Sequence, residues 1–217
     1  SPDLPELVAS YELEIRDSEL GAELRQAEVM ALSLTGSFTE AFAALNDLPD
    51  QDGPIAYADA VEPVMKLLTE RANDVTFLQY ALIFAEEATA TEAVPVADVM
   101  ARRLLDLGFA QQAQSLLMKM ALEPKDEARR LMMAEAALGM DLPHRALVEL
   151  MGLDGPAANK LRAQALWQNG EFGRAGEYLL AEQEVDAAAR GFWHSENLEA
   201  ITPGDDGQFS QVADVTA

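Results

Sequence analysis

Cysteine is absent from the 217 residues, which excludes disulfides and thiolate metal sites and leaves the redox compartment open. Histidine occurs only twice, at His144 and His194, leaving almost no room for a histidine-based catalytic or zinc centre. No apolar run approaches the roughly 18 residues needed to cross a bilayer, so the sequence reads as soluble, without direct membrane insertion. Positive charge is also scarce: 15 Lys and Arg stand against 38 Asp and Glu, a net charge of −23. A surface this acidic repels nucleic-acid phosphates and anionic headgroups, so neither is an expected partner. The sequence begins Ser1-Pro2, with no Met and no signal peptide in it, so it reads as a fragment or a processed form, and cytoplasm and periplasm both fit.

Aromatics make up only 6% of the chain, whereas alanine occurs 38 times and Leu and Met are plentiful. These are strong helix formers, and the composition predicts an all-α fold. Rich Ala and Asp/Glu with few lysines fits a bacterial protein of GC-rich coding. Apolar residues recur every three or four positions, with Gly or Pro at the breaks. A first helix is expected from Ser18 to about Thr35, with Leu20, Leu24, Ala27, Ala31 and Leu34 on its apolar face. A second carries Phe38, Ala41, Phe42 and Leu45, before a loop over Leu48–Pro54. Helices are then expected near 55–72, with Pro63 as a kink or restart, and 74–88, with Asp74 as N-cap; a break follows around Thr89–Val94. Further helices are expected near 95–107, 109–121, 126–138, 143–151, 156–169, 172–183 and 185–194. Residues 1–17 read as an irregular lead-in, 18–201 as the helical domain with an irregular unit at 49–94, and 202–217 as an acidic extended tail.

Gly36, Gly108, Gly139 and Gly170 each close one helix before another begins. Three of them, Gly36, Gly108 and Gly170, are followed five residues later by Ala and nine residues later by Leu. Gly139 departs, because Ala146 comes seven residues on. A second echo links Ala163-x-x-x-Trp167 with Ala189-x-x-x-Trp193, which predicts that both indoles pack between hairpins. Repeated helix-turn-helix units imply stacked hairpins, since one hairpin cannot bury its apolar face alone. The run Lys160–Leu180, with Ala163, Gly170, Phe172, Ala175 and Leu179 in place, resembles the tetratricopeptide-repeat family. The likeness covers 20–48 and 95–201, and Pro124 approximates the family's closing proline. It implies a right-handed superhelical stack of antiparallel hairpins, a TPR-like α-solenoid.

No Ser/His/Asp set, phosphate loop or paired-carboxylate motif stands out, so no catalytic role, cofactor or metal is expected. Asp50, Asp52 and Asp59 are similar to part of an EF-hand calcium loop, but a solvated acidic loop is the preferred reading. Met118, Met120, Met132 and Met133 fit either an adaptable surface or core, with core preferred. Residues 101–151 carry no net charge, unlike their flanks. Arg102 lies six residues before its turn glycine, and Arg129 and Lys160 lie ten before theirs, offsets that differ by one helical turn. By the family resemblance, Arg102, Arg129, Lys160 and Gln164 would form a polar track in a concave groove, flanked by Arg103 and Arg130. The competing reading is surface charge balance. The expected function is a non-catalytic scaffold binding a protein or peptide, with an acidic segment or C-terminal carboxylate as the complement. The alternative is a helical arm of a larger enzyme or envelope machine, such as a lytic-transglycosylase-like superhelix or a motility or secretion component.

Overall fold

The computed structural model describes residues 18–119 and 126–201, and among them every regular element is helical. The chain divides into two compact units, Ser1–Arg103 with Lys119–Ala121, and Leu104–Met118 with Leu122–Ala217. The expected lead-in 1–17, the tail 202–217, Met120 and Pro124 lie outside the described residues.

In the first unit, α1 (Glu19–Thr35) starts at Ser18, whose hydroxyl accepts the amide of Gly21 at 3.2 Å. It packs against α2 (Phe38–Asp52) and α3 (Pro54–Arg71), and α3 in turn meets α4 (Asp74–Glu87). The core here is Val29, Phe38, Leu45, Leu48, Val64, Met65, Leu68 and Phe77. Helix α5 (Ala90–Asp106) runs across the boundary of the two units.

The second unit continues with α6 (Ala110–Met118), α7 (Glu127–Gly139), α8 (Pro143–Glu149), α9 (Pro156–Gln168), α10 (Phe172–Ala181) and α11 (Val185–His194). A 3-10 turn over Leu198–Ala200 closes the described chain. Each helix packs on the next, and α7 also meets α9, as in hairpins laid side by side. Ala134, Ala137, Leu138, Ala146, Leu150, Ala158 and Ala165 form one core, with Ala188, Ala189, Phe192 and Ile201 beyond it.

Six helix ends share one closure. Gly36, Gly108, Asp141, Gly170, Gln183 and Glu196 all take positive φ, between 58° and 85°. Each donates its amide to the carbonyl three residues back, and the next amide reaches the carbonyl five back, as Gly36 to Ser33 and Ser37 to Leu32. Five residues after the turn comes a fully buried alanine in five cases: Ala41, Ala113, Ala146, Ala175 and Ala188. Nine residues after come Leu45, Leu117, Leu150, Leu179 and Phe192, all buried except the partly buried Leu179. The small residue lets the second helix approach closely, and the large one fills the space beyond it.

The third turn residue is therefore Asp141 and not Gly139. Gly139 is the last residue of α7, and a Cβ on it would lie 2.7 Å from that of Ala110, so its smallness serves the contact of α6 with α7. With the turn at Asp141, Ala146 and Leu150 take the same offsets as in the other units. Turn residues 108, 141, 170 and 196 are 33, 29 and 26 positions apart, so the period is not constant.

Other expectations are corrected. Leu20, Leu24 and Leu34 are 54%, 54% and 50% exposed, and Ala27 and Ala31 are exposed with them. The buried side of α1 instead carries Gly21, Val29 and Ser33, with Arg25 bonded through Nε to Asp52 at 2.8 Å. The expected loop 48–54 is mostly helix: α2 runs through Pro49 to Asp52 because Leu48 is buried and Arg25 holds Asp52. Pro63 does not interrupt α3, whose apolar stripe Ala60, Val64, Met65 and Leu68 continues past it. The lost bond falls on the carbonyl of exposed Asp59, which water can satisfy. The N-cap of α4 is Asn73, which accepts the amide of Thr76, and not Asp74. Helix α5 starts at Ala90 instead of Pro95, set by a capping box in which Glu92 accepts the amide and hydroxyl of Thr89, both at 2.8 Å.

Candidate functional site

Five of the described cations are used on helix ends. Arg103 of α5 donates to the carbonyls of Thr69 at 2.6 Å and Ala72 at 2.7 Å, and to Asp74 Oδ1 at 2.7 Å, with its guanidinium over the Phe77 ring. Lys119 reaches the carbonyls of Ala85 at 3.0 Å and Ala88 at 2.6 Å, at the end of α4. Arg71 reaches Leu34 at 3.3 Å. In the second unit Arg130 bonds the carbonyls of Glu149 and Met151, and Arg162 those of Leu150 and Leu153, all at or after the end of α8. Gln168 does the same for Leu138. Carbonyls at a helix C-terminus lack partners inside the helix and carry partial negative charge, so a cation there is held by both effects.

A cavity of about 280 Å³ lies on α9, α10 and α11. Lys160, Ala163, Gln164, Trp167 and Gln168 line it from α9, Leu179 from α10, and Glu184, Ala187 and Arg190 from α11 and the residue before it. The spacing 160, 163, 164, 167 places these side chains on one face of α9. Lys160 meets Glu184 only loosely, at 3.8 Å with both side chains well exposed. Arg190 is exposed at the same rim. Trp167 is half-buried and packs edge-on to Phe172 and His194, with ring centroids 5.2 and 5.6 Å away. The cavity thus has an apolar floor, with two cations, two amides and the Glu184 carboxylate at its rim.

The structure thus brings Lys160 and Gln164 together. Arg102 is exposed on α5 in the first unit. Arg129 is half-buried on α7 and does not line this cavity. With the turn at Asp141, Arg129 lies twelve residues before it and not ten, a displacement of about 200° around the helix. Arg190, which the sequence analysis did not single out, lies six residues before Glu196, the offset of Arg102 from Gly108 and of Gln164 from Gly170. The missing signal was the non-glycine turn.

Trp193 is 48% exposed, contrary to the expected packing of both indoles. Helices α10 and α11 touch through Gly176 and Gly191, with Phe192 filling the core and leaving the next residue outside. Met132 and Met133 are core, whereas Met118 is exposed. Asp50 and Asp52 lie in a helix, so the calcium-loop likeness has no loop behind it. Among the described residues no group of three His, Asp or Glu side chains is placed to hold a metal, and no helix is long and apolar enough to cross a membrane.

No protein-family model, curated protein or solved structure matches the chain.

Proposed function

We propose that the chain is a non-catalytic interaction scaffold, a TPR-like stack of hairpins that holds an acidic or C-terminal segment of a partner protein. The observation that supports this reading is the α9–α11 cavity, where Lys160, Arg190 and Gln164 ring a floor of Ala163, Trp167 and Leu179. The shared closure with Ala and Leu at fixed offsets supports repeat ancestry, and a right-handed superhelix is the finer form of the proposal. Small-angle scattering tests that form: a radius of gyration at or below ~17 Å, the compact value for this length, counts against it. For binding, the test is a panel of acidic peptides prepared with free and with amidated C-termini. Retention of the free but not the amidated form assigns a chain terminus, equal retention of both assigns acidic side chains, and retention of neither defeats the reading.

A second reading, a structural arm of a larger assembly, is favoured by the open stripe Leu20, Leu24 and Leu34 on α1. Glu at positions 20 and 24 should then release the chain from that assembly while leaving peptide binding intact.

A further inference from the structure

The first unit holds a second cavity, of about 440 Å³, unlike the first in chemistry. Phe42 and Asn46 of α2, Tyr57 of α3, and Tyr80, Ile83, Phe84 and Glu87 of α4 line it, and Glu92 at the start of α5 completes it. Four of these residues are aromatic, in a chain with only 6% aromatics. Phe42 and Tyr80 stack at a centroid distance of 4.0 Å with their planes 11° apart. Two carboxylates and no cationic side chain lie in the lining. Glu92 is fixed in place by its bonds to the amide and hydroxyl of Thr89.

We infer that this cavity is a binding site for an organic cation, an alkylammonium group held against Tyr57, Tyr80, Phe42 and Phe84 and neutralised by Glu87 and Glu92. Aromatic faces attract cations through their quadrupole, most strongly where water is excluded, and paired carboxylates supply the net charge such a group needs. A metal ion would find too few oxygen ligands here, whereas an alkylammonium brings an apolar stem for the rings and needs fewer oxygen partners. An anion would meet two carboxylates and no cationic side chain. The surrounding sequence reinforces the preference: residues 1–56 and 57–100 carry net charges of −10 and −6, a field that concentrates cations. Tyr57 feels the same field, since burial first, and then Glu92 and Glu87, raise its phenol above the usual value. A cation in the cavity would oppose that and draw Tyr57 ionisation to lower pH.

The group has two possible sources, a free quaternary ammonium compound or a lysine side chain of a peptide, and the test separates them. Aromatic resonances of the whole chain are followed by NMR during titration with choline, with Nα-acetyl-lysine methylamide, and with 3,3-dimethylbutanol, the neutral isostere of choline. Saturable shifts of Tyr57 and Tyr80 are expected in the millimolar range, with an ammonium probe bound at least about tenfold more tightly than the isostere. Preference for choline assigns a free quaternary compound; preference for the lysine derivative assigns a peptide side chain. Glu87→Gln, on an exposed residue, should weaken the ammonium probe several-fold and leave the isostere unaffected. The inference is overturned if no ammonium probe gives a saturable shift, or if the isostere binds as well as choline.

Discussion

At Gly139 an added methyl would meet Ala110, whereas at Gln183 the backbone carries a non-glycine residue at φ 64°. The two positions respond oppositely to substitution. Gly139→Ala should destabilise by about 1–3 kcal/mol through overpacking, despite alanine's better helix propensity. Gln183→Gly should stabilise by up to about 1 kcal/mol, the left-handed strain relieved less the added chain entropy. Urea unfolding of both variants checks the pair, and a stabilised Gly139→Ala would contradict the close contact. Asp52 makes a pH-dependent contribution. Its hydrogen bond from Arg25 holds the carboxyl below its usual value, partly offset by burial. A depressed acid stabilises fully above its unfolded value, near ~3.9, and that stability is lost as pH falls through the folded value. Between pH 5 and the acid limit, Asp52→Asn should therefore lose less stability than the parent chain.

At the scale of elements, one basic side chain joins a helix end to a later helix. Arg103 makes three backbone bonds and one carboxylate bond between α5 and the α3–α4 junction. Arg103→Met should cost about 1–3 kcal/mol, with Arg103→Lys recovering only part, because an ammonium cannot reproduce the fork. Equal stability of all three would show that water replaces the clamp. On α1, Leu24→Gln should change stability by no more than about 0.5 kcal/mol, since the residue is exposed; a larger loss would restore the face expected from the sequence. Both stripes of α1 obey helical spacing, so periodicity alone could not choose between them. The winning side includes an ion pair with a residue 27 positions away, which no local pattern reveals. The start of α5, in contrast, is legible in Thr89-x-x-Glu92, although Pro95 offers a competing first-turn signal. The third turn is hidden because Asp141, not a glycine, adopts the left-handed conformation there. Half of the candidate groove was legible for the same reason: Lys160 and Gln164 precede a glycine turn, and Arg190 precedes Glu196.

For the molecule as a whole, the scarcity of positive charge sharpens the functional proposal. Arg71, Arg103, Lys119, Arg130 and Arg162 are engaged on backbone carbonyls, so they are not displayed for a ligand. Lys160 and Arg190 are the cations that line the α9–α11 cavity, within residues 152–217 of net charge −7. A partner carboxylate must therefore be held by short local contacts against an unfavourable long-range field, and binding should weaken as salt screens those contacts. The most direct measurement is calorimetric titration of a free-carboxylate peptide from the panel into the parent chain and into the double variant K160E/R190E. The account predicts at least a tenfold loss of affinity in the variant, with helicity and melting temperature unchanged, because both side chains are exposed. Equal affinity in the two chains would contradict it.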